Sequence, residues 1–490
     1  MKSNESLTRK LSIGIFYLMS SSLTSIGLNV ILVAFVARKL GVENFGLYSA
    51  ILSFVGLFQF ISDFGLNRTL LKFGSTDMTK AQISFGNSLF LKSILMLPTL
   101  VIVLFFAFLA GYRNSELLIL LTFTISMLLE SYGMVFSSIR RILGDFKLIS
   151  FFRVLRTIFN LAIVVYALTI ANSVLSLAIA NLILNIVIFT VSLINTLSLL
   201  KPKLRIRLIK DFFKDSSIFS LSDFFLNLYG RISTVLLSFT SDFHAVGIFS
   251  AALKFTKIAT LLPNQVRFAL LPTLYKILGT KISETDLESD LRKSKKVFNL
   301  LLKYMVLLAV PFVLLIYFFS DQIIQMVFGH KYDQAVPLVK LFSIFIFLRF
   351  IETPFTLFYT ALHKHKTMVI FQGITSLTNA ILSFILIPKY FAYGACIANI
   401  FSETLLALML VVYGRTYSIW KLRTIVQSLL IPILLGIISF CLVVLLGTKI
   451  NLWFQLFIAI GIYLSILFLI KYFDKTDKEF FRKMFTIKKS

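Results

Sequence analysis

From Leu95 to Ala110 the chain reads LMLPTLVIVLFFAFLA, without a single charge. Blocks of this kind recur along almost the whole chain, and they constrain the fold more than any other feature. A bilayer core about 30 Å thick is crossed by roughly 20 apolar residues in a helix. Hydrocarbon offers no partners to backbone N–H and C=O groups, so only helices or closed barrels can cross it. The blocks lack the strict alternation of barrel strands. An all-α polytopic membrane protein follows. Composition agrees, with 58% of residues hydrophobic and 14% charged, where a soluble domain carries about a quarter charged residues.

Fourteen transmembrane helices are expected, at approximately 11–37, 46–66, 85–110, 116–138, 151–170, 174–197, 215–240, 246–275, 297–320, 333–361, 368–387, 391–413, 425–447 and 451–471. Placing both termini in the cytoplasm leaves 32 Lys and Arg in the inner segments. The outer segments hold 6: Arg38, Lys39, Arg113, Lys331, Lys389 and Lys449. This is the asymmetry the positive-inside rule requires, and an odd number of spans would put several of the richest basic loops outside. The net charge of +27 is therefore read as loops lying beside anionic lipid headgroups, with membrane lipid as partner and no nucleic acid. Cys396 and Cys441 both fall in expected spans, so no disulfide framework is implied. The polar N-terminus precedes an apolar stretch that lacks a small-residue cleavage site, so no cleavable signal is expected.

The chain repeats itself. Gly46-Leu-Tyr-Ser-Ala50, near the start of the second expected span, resembles Gly247-Ile-Phe-Ser-Ala251, near the start of the eighth. Ala178-Ile-Ala-Asn181 resembles Cys396-Ile-Ala-Asn399 in the same way. Two ordered matches at similar offsets point to a duplicated unit of six spans. An even number makes the copies parallel, related by an axis along the membrane normal. The expected organisation is an N-terminal six-helix bundle over 1–200 and a basic cytoplasmic linker over 201–214. A second six-helix bundle follows over 215–415, then two further helices over 416–471 and a basic cytoplasmic tail over 472–490.

Three early stretches, Ala37-Arg-Lys-Leu-Gly41, Phe45-Gly-Leu-Tyr-Ser49 and Asp63-Phe-Gly-Leu66, are joined later by Val327-Phe-Gly-His-Lys-Tyr-Asp-Gln-Ala-Val-Pro337 and Gly394-Ala-Cys-Ile-Ala398. In that order, and with the span count, they resemble the Wzx-type repeat-unit flippases for O-antigen and exopolysaccharide. That family belongs to the multidrug/oligosaccharidyl-lipid/polysaccharide exporter superfamily. The similarity runs from about residue 10 to 415. It implies two six-helix bundles around a central cavity, in the cytoplasmic membrane of a bacterium. It also implies an oligosaccharide on undecaprenyl diphosphate as substrate, alternating access to the two leaflets, and a polysaccharide polymerase and chain-length regulator as partners. One departure stands out. Many relatives carry an Asp just after an Arg in the seventh span, whereas Arg231 is followed here by Ile232, Ser233 and Thr234.

No catalytic constellation, Walker A sequence or metal-ligand cluster is visible, and neither an enzyme nor a cofactor is expected. His244, His330, His363 and His365 lie in or beside loops. Without an ATP site, transport energy would come from a proton, sodium or substrate gradient. The informative residues are charges inside expected spans, where a charge costs several kcal/mol unless it faces a cavity or a partner. Arg231, Lys254, Lys257 and Arg349 are the candidate cavity cations for a diphosphate and acidic sugars, with Arg suited to bidentate phosphate contact and Lys acting as a point charge. Lys254 and Lys257 share a helix face, as do Arg349 and Glu352. Arg349–Glu352 reads equally as a local ion pair. Arg267, Lys303 and Asp63 read as end-of-span or structural charges. Glu130, Asp223, Glu352 and Glu403 are the candidates for ion coupling. Pro98, Pro263, Pro272, Pro311, Pro354 and Pro432 are expected to bend their helices.

A multidrug exporter and a peptidoglycan-precursor flippase of the same superfamily are the nearest alternatives. A membrane glycosyltransferase or polymerase would need a large outer loop for its active site. The longest expected here is short, from Asp321 to Tyr332.

Overall fold

The computed structural model describes residues 2–278, 287–415, 422–446, 452–470 and 472. Among them every regular element is helical and no strand occurs. The tail expected at 472–490 lies outside the described residues except for Tyr472, as do parts of the loops expected at 276–296, 414–424 and 448–450.

The chain is a multi-pass membrane protein. Ten helical segments among the described residues are long and apolar enough to cross a membrane. Two of them, Phe16–Gly74 and His365–Gly414, contain 59 and 50 residues, enough for two crossings each at roughly 20 residues per crossing. The ten segments do not by themselves return the expected count of fourteen.

The long segments break where turns were expected. Helix α1 (Lys2–Leu57) is bent at Gly41, with φ 75° and ψ 175°. Only glycine takes such a φ without steric cost. Helices α2 (Gln59–Asp63) and α3 (Leu66–Gly74) are separated by Phe64 and Gly65, both at positive φ. Then come α4 (Met78–Leu109), α5 (Asn114–Ile142), α6 (Phe146–Ile170), α7 (Val174–Leu199), α8 (Ile209–Thr240) and α9 (Phe243–Ala259). The remaining helices are α10 (Leu261–Leu278), α11 (Leu287–Phe318), α12 (Ser320–Val327), α13 (Val336–Ala361), α14 (His365–Gly414), α15 (Leu422–Leu446) and α16 (Leu452–Leu469). Within α14 the helix is broken at Phe391, with φ 49°, three residues after Pro388.

Two compact units can be described separately. The first comprises Met1–Ala251, Val327–Gln334 and Gln372–Asn399. One of its core clusters joins α3, α4 and α5 through Leu70, Phe85, Phe136 and Ile139. The second comprises Ala252–Met326, Ala335–Phe371 and Ile400–Ser490. Its main core holds Phe298, Leu302, Val306, Phe355, Tyr359 and Leu410, and the Tyr359 hydroxyl donates to the Leu410 carbonyl at 2.7 Å.

Within the first unit, the repeated glycine motifs pack on each other. A methyl group added at Gly46 would lie 1.7 Å from the carbonyl oxygen of Phe243, and one added at Gly247 would lie 2.1 Å from that of Val42. Each glycine faces the residue four before the other, as two copies related by a two-fold would. The absence of side chains lets the backbones of α1 and α9 touch. Nearby, the Tyr332 hydroxyl donates to the Ala37 carbonyl at 2.9 Å. Arg38 Nε donates to the Val327 carbonyl at 3.0 Å, and Phe45 is packed edge-on against Tyr332. Three of the five stretches that carried the family resemblance, at 37–41, 45–49 and 327–337, are thus packing motifs that tie distant segments together.

Because a carbonyl on a helix cannot step aside, Gly46→Leu is expected to force the two helices apart and cost more than the usual 1–3 kcal/mol, roughly, of core overpacking. Size-exclusion of the full chain in detergent should show loss of the monodisperse peak. An unchanged profile and melting temperature would exclude this contact.

Candidate functional site

The structure pairs most of the intramembrane charges, each by a different route. In the first unit, Arg231 extends from α8 to α1, where Nη1 donates to the Leu52 carbonyl at 2.9 Å. Its guanidinium lies over Gly56, where a methyl group would come within 2.0 Å of it. Glycine at 56 therefore opens the slot that Arg231 occupies. Two residues on, Ser233 is buried on the same helix. Ser233, Asn379, Ser383 and Asn399 form a buried network, with Ser233 donating to Asn379 Oδ1 at 3.0 Å and Asn399 Nδ2 donating to Ser233 at 3.0 Å. Neutral amides and hydroxyls satisfy one another without a buried charge.

Asp223, also on α8, is paired with Arg68 of α3 at 2.5 Å, and one end of the same helix adds Asp215 to Lys72 at 3.4 Å. Glu130 on α5 accepts from Arg156 of α6 at 2.6 Å, and Arg156 also reaches Asn185 at 3.2 Å. Asp63 accepts from Lys92 at 2.6 Å, with the lysine side chain 1% exposed and the carboxylate 14%. The structural reading of Asp63 thus acquires a partner that composition alone does not identify.

In the second unit, Arg349 and Glu352 on α13 face Glu403 on α14. Nη1 of Arg349 is 3.9 Å from Glu352, and its Nε bonds Glu403. The guanidinium also lies over the Phe345 ring, 5.2 Å from its centre. The side chains of Glu352 and Glu403 are 3% and 0% exposed, so both carboxylates are buried beside the Arg349 guanidinium. Lys254 is half-buried and Lys257 exposed, one turn apart on α9.

The eight candidates therefore fall into three groups. Arg349, Glu352 and Glu403 are brought into one cluster. Glu130 and Asp223 have arginines of their own, and Arg231 is anchored on backbone. Lys254 and Lys257 share a helix face. The residues missed from the sequence are Arg68, Lys92, Arg153 and Arg156. All four lie in or beside expected spans, and Lys92, Arg153 and Arg156 could have been found by scoring every charge within those limits.

A family model described as polysaccharide biosynthesis protein matches residues 11–278, more than half of the chain. No curated protein matches it. Among solved structures, the chain is similar to the lipid II flippase MurJ in an inward closed conformation, at 17% identity and a TM-score of 0.76, covering 94% of this chain and 99% of that one. An inward-facing multidrug resistance MATE family transporter of the MOP superfamily aligns at 15% identity and a TM-score of 0.63, over 82% of this chain and 97% of that one. A MOP superfamily transporter from Pyrococcus furiosus aligns at 16% identity and a TM-score of 0.55, over 83% and 94%. At these identities the likeness shows a shared fold.

Proposed function

The chain belongs to the polysaccharide biosynthesis protein family, and from that premise we propose that it is a flippase for lipid-linked oligosaccharide repeat units. The substrate is an oligosaccharide on undecaprenyl diphosphate, carried from the cytoplasmic to the outer leaflet for assembly of a surface polysaccharide such as O-antigen, capsule or exopolysaccharide. Family membership carries this reading. The fold supports transport over catalysis, since the MurJ and MATE proteins whose fold it has are a flippase and a transporter by description. Both termini lie in the cytoplasm, and the polysaccharide polymerase and its chain-length regulator take up the product.

Arg231, Lys254, Lys257 and Arg349 are the cations assigned to the diphosphate and to acidic sugars, in two six-helix bundles working by alternating access. Lys254 and Lys257 are the sharpest test, because they lie well inside an apolar stretch and on one face. Lys254→Ala with Lys257→Ala is expected to lower polysaccharide display about tenfold or more at unchanged membrane levels, since each charge-assisted phosphate contact is worth about 1.5–3 kcal/mol. Full display at normal protein levels would sink the assignment.

Ion coupling is assigned to Glu352 and Glu403, two carboxylates buried beside Arg349. Glu130 and Asp223 are the weaker candidates, each having an arginine of its own. Collapse of the proton and sodium gradients, one at a time, during a vesicle flipping assay identifies the ion.

A peptidoglycan-precursor flippase is the second reading, favoured by the 94% coverage of this chain in the alignment to MurJ. Flipping of lipid II but not of an oligosaccharide repeat unit would select it.

A further inference from the structure

A second cationic site lies wholly within the first unit, between α5, α6 and α7. There a cavity of about 570 Å³ has a polar end and an apolar end. Its polar end is made by Arg140, Arg141, Arg153 and Arg156. Its apolar end runs one to two turns further along α6 past Phe159 and Ile163, about 10 Å at 1.5 Å per residue, and along α7 past Val187. Phe159 and Val187 are more than half exposed, at 57% and 53%. Such exposed apolar side chains on a membrane-spanning helix suit a hydrocarbon chain as occupant. The arginines sit at the end of the helices that carries the connection 143–145, which the positive-inside pattern assigns to the cytoplasmic leaflet.

The charges do not balance. Arg156 pairs with Glu130 and Arg140 with Asp145, at 2.6 and 3.5 Å. Arg153 is held by neutral partners only. Its Nη1 donates to Ser22 at 2.5 Å, with the Ser21 hydroxyl and the Leu18 carbonyl slightly further away. Among the described residues neither Arg141 nor Arg153 is joined to a carboxylate. Four arginines and two acids leave two positive charges at the mouth of an apolar slot. Basic pockets between transmembrane helices on the cytoplasmic side are suited to anionic lipid headgroups, and guanidinium groups match phosphate oxygens in pairs.

We propose that this cavity binds an acidic phospholipid of the surrounding bilayer, with the phosphate on Arg141 and Arg153 and an acyl chain along Phe159, Ile163 and Val187. The occupant is a phospholipid because the slot joins exposed apolar side chains to positive charge in excess, as an acyl chain and an anionic headgroup together require. The bound lipid bridges the basic ends of α5 and α6 and reaches α7 through its acyl chain. This site is separate from the cations assigned to the transported substrate, and its test reads lipid retention rather than transport.

Native mass spectrometry of the full chain in detergent, with phosphatidylglycerol or phosphatidylcholine added, tests the proposal. The wild type is expected to retain phosphatidylglycerol selectively and to gain thermal stability from it. Arg141→Gln with Arg153→Gln should weaken that binding about tenfold or more, a factor of ten being about 1.4 kcal/mol. Val187→Trp fills the slot while leaving every charge in place. It should also lose the lipid, which separates a pocket from general attraction to a chain of net charge +27. If the arginine variant does not fold, Val187→Trp alone decides. Equal retention of phosphatidylglycerol by Val187→Trp and wild type, or equal retention of the two phospholipids by wild type, would overturn the site. So would retention of an added polyprenyl phosphate in preference to phosphatidylglycerol, which would make the cavity a substrate site.

Discussion

Replacing Arg349 by alanine is expected to destabilise the protein by about 3–5 kcal/mol, the usual cost of removing one partner from a buried ionic cluster. The reason lies in the burial of the carboxylates. Glu352 and Glu403 are both buried beside this guanidinium, and its removal takes a paired cation away from both. Thermal unfolding in detergent should show a large drop, and expression should fall with it. Adding Glu352→Gln and Glu403→Gln to Arg349→Met removes the charges together. Replacing a whole buried cluster by neutral groups of similar size is often close to neutral. The triple variant is therefore expected to regain much of the lost stability. If it is folded but does not transport, the cluster has a role beyond folding, as the coupling assignment requires. If Arg349→Ala melts like the wild type, the cluster is not the buried charge site described above.

The second large effect is expected at Asp63. Its partner Lys92 is almost completely enclosed, with 1% of its side chain exposed and an Nζ–Oδ1 distance of 2.6 Å. Asp63→Ala strands an ammonium group within an apolar span and is expected to cost about 3–5 kcal/mol. Lys92→Met should cost less, because the remaining carboxylate is 14% exposed and keeps its hydrogen bond from Gln59. Asp63→Ala combined with Lys92→Met should recover most of the loss. Melting curves of the three variants measure the coupling directly. Additive losses in the double variant would show that the two groups do not interact. Asp63 opens one of the stretches resembling the Wzx-type family, so this pair gives that stretch a structural reason to exist.

Some of the site was legible before the fold. Arg349 and Glu352 are three residues apart on one helix, and helical periodicity alone puts them together. Lys254 and Lys257 share a face for the same reason. Glu403 was visible as an intramembrane acid, but its approach to Arg349 joins α13 to α14, which no spacing on one helix can give. The likeness of Gly46-Leu-Tyr-Ser-Ala50 to Gly247-Ile-Phe-Ser-Ala251 was visible as a repeat. That the two glycines meet each other's helix backbone was not. The absence of an acid after Arg231 looked like a loss. Packing shows Arg231 seated on Leu52 and Gly56, and Ser233 occupied in an amide and hydroxyl network.

The sequence by itself determined the solvent in which this protein folds, its helical class and the regions where the chain turns. Those properties are sums over contiguous residues. Transfer to hydrocarbon depends on local composition, and backbone satisfaction within one segment then demands a helix. Only the tertiary structure decided which charge answers which. Lys92 found Asp63 and Arg156 found Glu130, while among the described residues Arg141 and Arg153 are joined to no carboxylate. Such pairings follow from how helices distant in sequence pack side by side, and the interaction of two charges depends on their separation in space and on the polarity between them.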